Sequence, residues 1–195
     1  MKYKKLTGII LKKQNYREAD QIVSVFTREA GKVRCLAKSL RHPKSKLNYA
    51  VQDLSESEIS VVGGNLPILI SAKPIRQFAG LRDDLKKTAI AFYAGELMLK
   101  MTADEHPNET AYDLLQNFLI NLNHHDFSEK YHPLLECFSL DLLDTLGFRI
   151  PKDLDSERVM KMNIDEIEQT HRTINKFIEY ILERNIKSEA FLISV

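Results

Sequence analysis

Residues 21–40 read QIVSVFTREAGKVRCLAKSL, and the way this stretch divides decides the fold. Gln21–Thr27 is rich in β-branched and aromatic residues, Arg28–Gly31 has turn chemistry, and Lys32–Leu40 resumes an extended pattern. Along the second run, Lys32, Arg34 and Lys38 fall on one side and Val33, Cys35 and Ala37 on the other, because side chains alternate faces along a strand. One face is basic and the other is core.

Working outward, Leu6–Lys12 precedes this hairpin, while Leu54–Val62, the turn Gly63-Gly64-Asn65 and Pro67–Lys73 follow it. Five short strands in about 75 residues, with the longest connection between the third and fourth, predict a five-stranded OB-fold barrel. Gly8, inside the first strand, is the expected site of a bend or bulge. After Pro74 the apolar period lengthens to that of helices. Leu85, Ala89, Phe92, Leu97 and Met101 outline the first helix. Asn108 caps a second with Leu114, Leu115, Phe118, Leu119 and Leu122, and Ser128 opens a third carrying Leu135, Phe138, Leu142 and Leu146. Gly147 stops that helix, and a last one turns Ile167, Ile174, Phe177, Ile178 and Ile181 inward. The expected class is α+β: an OB-fold nucleic-acid-binding domain over residues 1–76 and an α-helical domain over 77–195.

The chain has 195 residues, 44% hydrophobic and 28% charged, with 7 Gly and 6 Pro, which excludes long low-complexity or disordered segments. Its only cysteines, Cys35 and Cys137, are too few for a disulfide scaffold or zinc cluster and suit a reducing compartment. The apolar stretch near Met1 is too short for a signal peptide, so a cytoplasmic location is expected. The formal net charge of +1 hides an asymmetry. Residues 1–80 hold 15 Lys+Arg against 6 Asp+Glu, and the remainder 13 against 21. A sign reversal of this size assigns the two halves different partners and turns the basic half toward a polyanion.

The charge peaks in Gly31–Leu47, which carries Lys32, Arg34, Lys38, Arg41, Lys44 and Lys46 and no acidic residue. Two readings compete: a phosphate-binding surface, or a strand edge kept from aggregating by lysines. The uninterrupted sign favours the first, with Lys12, Lys13 and Arg17 as a second tier. Aromatic rings would add base stacking. Tyr16, in a polar loop, is the candidate platform; Phe26 reads as barrel core, and Tyr49 stays undecided. Catalytic signals are weak. His124-His125-Asp126 reads as a solvated helix end, Cys137 as core, and no glycine-rich phosphate loop, nucleophile elbow or HExxH motif is present. An enzyme is not expected, and neither is a cofactor.

TGIIL at Thr7–Leu11, YREAD at Tyr16–Asp20, TREAGK at Thr27–Lys32 and AKSLRHPKSKL at Ala37–Leu47 follow one another along the barrel. LLDTLGF at Leu142–Phe148 and KSEAFL at Lys187–Leu192 follow in the helical part. In this order and spacing the sequence resembles the RecO-type recombination mediators, bacterial DNA-repair proteins of the RecFOR pathway. The resemblance implies an OB-fold and a helical domain that together bind single- and double-stranded DNA and anneal complementary strands. It also implies partners: RecR, the C-terminal tail of the single-strand binding protein SSB, and RecA indirectly, loaded onto SSB-coated DNA.

The sequence departs from the family at two points. A four-cysteine zinc module often follows the LLxxLGF helix, whereas residues 150–163 contain neither Cys nor His, so no zinc is expected. Ser39 stands where the family often has Gly, which puts a glycine-dependent backbone conformation in question. An acidic SSB tail would also need a local basic pocket in an acidic half, from residues such as Arg82, Lys86, Lys87, Arg172 or Lys176. An RNA-binding OB protein and a protein-interaction scaffold are the other functions left open by the residues.

Overall fold

Five strands form where the short apolar runs lie: β1 (Tyr3–Tyr16), β2 (Asp20–Thr27), β3 (Gly31–Ala37), β4 (Glu56–Val62) and β5 (Ile68–Arg76). They come from a computed structural model, which describes residues 3–124, 133–149 and 154–195. The strands close into a barrel in the order β1-β2-β3-β5-β4, the OB-fold arrangement expected from the spacing. β1 is longer than its apolar run because it serves two neighbours. Its second half pairs with β2 and its first half with β4, while Gly8 and Ile9 pair with both. β3 and β5 meet in parallel at Leu36 and Ile68.

Inward-facing Leu6, Ile10, Val23, Val25, Val33, Cys35, Ala37, Ile59, Val61 and Leu69 make the barrel core, joined by Leu40 and Val51 from the β3–β4 connection. Each large aliphatic side chain so buried contributes about 1.5–3 kcal/mol of transfer free energy. Gly8 does not carry the expected bulge, which lies between Ile10 and Lys12. Its role is close approach: a Cβ there would stand 2.4 Å from Val25 Cγ1 and 2.9 Å from Thr27 Cγ2.

The chain divides into two compact units, Met1–Phe78 with Thr102–Tyr112, and Ala79–Met101 with Asp113–Val195. The segment 102–112, which the sequence presents as a polar loop and a helix start, thus belongs with the barrel. The Glu105 amide donates to the Lys32 carbonyl at 3.0 Å. Gly31, at φ +67°, lies so close that a Cβ would sit 2.1 Å from the His106 carbonyl oxygen.

In the second unit the helices are α1 (Leu85–Met101), α2 (Glu109–His124, entered from the first unit), α3 (Pro133–Thr145), α4 (Ser156–Val159), α5 (Ile164–Leu182) and α6 (Lys187–Ser194). Asn108 caps α2, accepting from the Ala111 amide at 2.9 Å. Gly147, at φ +82°, terminates α3 with the Phe148 amide reaching back to the Leu143 carbonyl. Asn163 and Glu166 form a reciprocal capping box on α5.

The expected apolar stripe holds on α3 and, with Phe177 and Ile181 only half-buried, in part on α5; on α1 Ala89 and Leu97 are buried as expected, but Leu85 and Phe92 face solvent. Ile90, Ala91, Tyr93, Ala94 and Met98 are buried as well, a broad arc that no narrow stripe describes. The expected cap at Ser128 lies outside the described residues.

Candidate nucleic-acid interface

The outward face of β1, β2 and β3 is organised in cross-strand rows. Lys12 lies opposite Ser24, and Ser24 opposite Arg34. Adjacent strands are about 4.8 Å apart, so the backbones of Lys12 and Arg34 lie on either side of Ser24, roughly 10 Å from one another. The next row is Gln14–Ile22–Leu36, and beyond it Tyr16 pairs with Asp20. Lys12, Arg34 and Lys38 are exposed and have no ion pair among the described residues. Basic charge on one face with Cys35 and Val33 buried on the other is what the alternation in the third strand predicts.

Two of the expected site residues are held elsewhere. Lys32, only 9% exposed, donates from Nζ to the Thr102 carbonyl at 2.6 Å and stands 3.2 Å from Asp104 Oδ1. It shares the outward face with Arg34, yet the 102–112 segment covers its end of the strand. Lys13 belongs to the opposite parity from Lys12. It pairs with Val23 in the register and forms an ion pair with Asp53 at 3.3 Å. Alternation alone says which face a residue is on; it does not say what lies over that face.

The covered row is polar at both ends. Glu56, Ile9, Phe26 and Lys32 are successive register neighbours, all buried. Tyr112 lies over them, its ring 6.2 Å from Phe26 and beneath the Arg28 guanidinium at 4.7 Å. Its hydroxyl donates to Glu56 Oε1 at 2.9 Å, and Arg76 pairs with the other oxygen of Glu56. Phe26 is therefore buried, but against Tyr112 rather than in the barrel interior where it was expected. Desolvation, with Glu56 second, holds the Tyr112 phenol well above its usual range.

The remaining cations sit on loops. Arg17, at φ +53°, lays its guanidinium 5.2 Å from the centre of the half-buried Tyr16 ring. Arg41 donates from Nη1 to the Glu18 carbonyl and from its amide to Ala19, which ties the β3–β4 connection to the β1–β2 turn. Ser39 has φ +52°, the left-handed conformation that a glycine adopts freely, and its amide donates to Asp20 Oδ1 at 2.8 Å. Lys44 and Lys46 project from the exposed connection without an ion pair among the described residues.

A second cluster of ionisable groups is buried in the helical unit. His171 Nδ1 is 2.9 Å from Glu136 Oε1 and its Nε2 is 3.1 Å from Glu189 Oε2. The two carboxylates outweigh desolvation and raise the imidazole to about 10, while burial raises the Glu136 carboxyl. Tyr93 packs its ring 5.4 Å from His171 and donates to Asn175. Nothing in the apolar spacing of α3 or α5 signals this network. With His171 1% and Glu136 0% exposed, it is a packing element closed to substrate.

The residues present do not fit the zinc module that the resemblance raises. No three His, Cys, Asp or Glu side chains among the described residues converge on a metal position. Cys137, half-buried rather than core, points its thiol at the Ser156 carbonyl at 3.5 Å. Burial pushes the Cys35 thiol up to about 12. His124 is exposed at the end of α2, and its neighbours His125 and Asp126 lie outside the described residues. No helix among those described is long and apolar enough to cross a membrane.

The family profile for the recombination protein O N-terminal domain matches residues 1–78, and that for its C-terminal domain residues 82–157. Among curated proteins, the DNA repair protein RecO of Listeria welshimeri is 33% identical over 146 residues, covering 73% of this chain and 55% of that protein. The DNA repair protein RecO of Symbiobacterium thermophilum is 35% identical over 143 residues, covering 73% and 56%. That of Dehalococcoides mccartyi is 32% identical over 146 residues. The chain thus spans a little over half the length of these relatives.

Proposed function

Because the chain belongs to the RecO family of DNA repair and recombination proteins, we propose that it binds DNA through the outer β1–β2–β3 face and anneals complementary strands. The observation that carries this reading is the Lys12–Ser24–Arg34 row, continued by Lys38, whose cations have no carboxylate partner among the described residues. Arg17, Arg41, Lys44 and Lys46 extend the surface from the adjoining loops, and Tyr16 is its aromatic edge. Lys32 and Lys13 serve the barrel instead, since their ammonium groups are already engaged.

Annealing requires neutralising the phosphates of two strands so that base pairing can proceed. It needs no nucleophile or general base. About four to six phosphate contacts on a single strand correspond to a log–log salt slope near −3 to −4.

In the same reading the partners are RecR, SSB and, indirectly, RecA. Of the residues considered for an SSB tail, Lys87 is buried and Arg172 is ion-paired with Glu168 at 2.6 Å. The cleft of about 420 Å³ between α4 and α5 also presents Arg158 and Lys161 beside Leu154 and Met162, but Lys161 is ion-paired with Glu157 at 2.8 Å and Glu166 lines the same cleft.

The test is fluorescence annealing of complementary DNA oligonucleotides across a salt series, with bare and SSB-coated strands. Salt-sensitive acceleration on both is expected. Folded protein without acceleration on either would overturn the reading, and a preference for RNA in direct competition would replace DNA as the ligand.

A further inference from the structure

The β3–β4 connection, residues 38–55, is not a slack loop. Leu40, Ala50, Val51 and Leu54 are buried, and Leu47 packs against the barrel core. Successive turns tie it together: Ser45 to His42, Asn48 to Ser45, and both Ala50 and Val51 to the Leu47 carbonyl. Gln52 Nε2 donates to the Asn48 carbonyl at 2.6 Å, and the Leu54 amide donates to Ile10 of β1. On this anchored frame one large ring points away from the core. Tyr49 is 69% exposed between the anchors Leu47 and Ala50, and Lys44 and Lys46 stand in the same exposed stretch with no acidic residue between Glu29 and Asp53.

An exposed tyrosine held on a fixed backbone costs no backbone entropy when a flat ligand stacks on it. Flanking ammonium groups supply the charge that a nucleic-acid backbone needs. The other aromatic candidate lacks this freedom, since Tyr16 is half-buried and Arg17 already lies over its ring. We propose that Tyr49 is a base-stacking platform for a single strand, with phosphates on Lys44 and Lys46. This rests on the DNA-binding reading above and deepens it. A ring that stacks on an unpaired base discriminates single strands from duplex, whose bases already stack on one another, whereas lysines bind both.

The experiment is a set of fluorescence-anisotropy titrations of the full chain with three labelled probes: an oligothymidine, a blunt duplex, and an abasic strand of equal phosphate count. Tyr49→Ala is expected to weaken oligothymidine binding at least about fivefold. It should leave duplex and abasic-strand affinity, the salt slope and the unfolding midpoint unchanged. Tyr49→Phe should bind oligothymidine like the wild type, because stacking needs the ring and not the hydroxyl. Unchanged oligothymidine affinity for Tyr49→Ala, or an equal loss on all three probes, overturns the proposal while the DNA-binding reading stands. A wild-type chain that binds none of the probes overturns both.

Discussion

The Tyr112 hydroxyl donates a 2.9 Å hydrogen bond to Glu56 Oε1, joining the first turn of α2 to β4 across a face of the barrel that would otherwise be open. Glu56 is 2% exposed, and Tyr112 and Arg76 are among the partners of its buried carboxylate. Tyr112→Phe removes one donor from a buried carboxylate, an interaction worth about 1.5–3 kcal/mol. Urea denaturation should show that loss, with faster amide exchange in β2 and β4. DNA affinity of the folded variant should be unaltered, because Tyr112 lies over the covered row.

Lys32 and Arg34 are two residues apart on the same outward face, and substitutions should separate their roles. Lys32→Met strips the donor from the buried Thr102 carbonyl and the partner from Asp104. A cost of about 1–3 kcal/mol is expected, with DNA affinity of the folded protein within about twofold of wild type. Arg34→Ala should leave stability within about 0.5 kcal/mol and weaken DNA binding. Paired denaturation and anisotropy measurements check both.

Ser39→Gly should stabilise the barrel. A side chain in the left-handed region costs about 1–2 kcal/mol, partly offset by the greater unfolded-state entropy of glycine. The amide bond to Asp20 needs no side chain and survives. A gain of up to about 1 kcal/mol in urea denaturation is expected.

The imidazole of His171 is raised to about 10, above the ordinary 6.5, because the Glu136 and Glu189 carboxylates receive its two N–H groups. Tyr93 is the other titratable group packed on its ring. A raised basic group contributes stability that is complete below about pH 6.5 and is lost as pH climbs through about 10. In that window the folded chain holds the extra proton, so stability falls by at most about 1.4 kcal/mol per pH unit. The raised Glu136 carboxyl acts in the same sense, starting above its ordinary value of 4.5. Urea denaturation between pH 6 and pH 10 should show the decline. His171→Gln should be less stable overall, because it leaves the buried Glu136 carboxyl without its cationic partner.

Much of the barrel is legible in the sequence because its period is two and its turns are marked. Val33, Cys35 and Ala37 point inward opposite Arg34, as alternation demands. What alternation leaves out is coverage. Nothing local to Lys32 or Phe26 reveals that residues 102–112 lie over them, since that contact joins positions some 70 and 86 residues apart. The bulge after Ile10 has a related effect: it decides which of the adjacent Lys12 and Lys13 faces outward, and nothing local to either lysine marks it. In the helices, apolar spacing located α3 and α5 but not the His171–Glu136–Glu189 network, because a buried polar residue within an apolar stripe looks like an ordinary solvated one. Ser39 is the converse case, where a departure from the family's usual glycine coincides with a positive φ.

The measurement that bears most directly on the account is the salt dependence of single-strand DNA affinity for the wild type and for Lys12→Ala/Arg34→Ala/Lys38→Ala. The outer-face assignment predicts a normally folded triple variant with weaker binding and a log–log slope shallower by about 2, from three lost phosphate contacts at about 0.7 each. A triple variant with wild-type affinity and slope would contradict it and remove the β1–β2–β3 face from the binding surface.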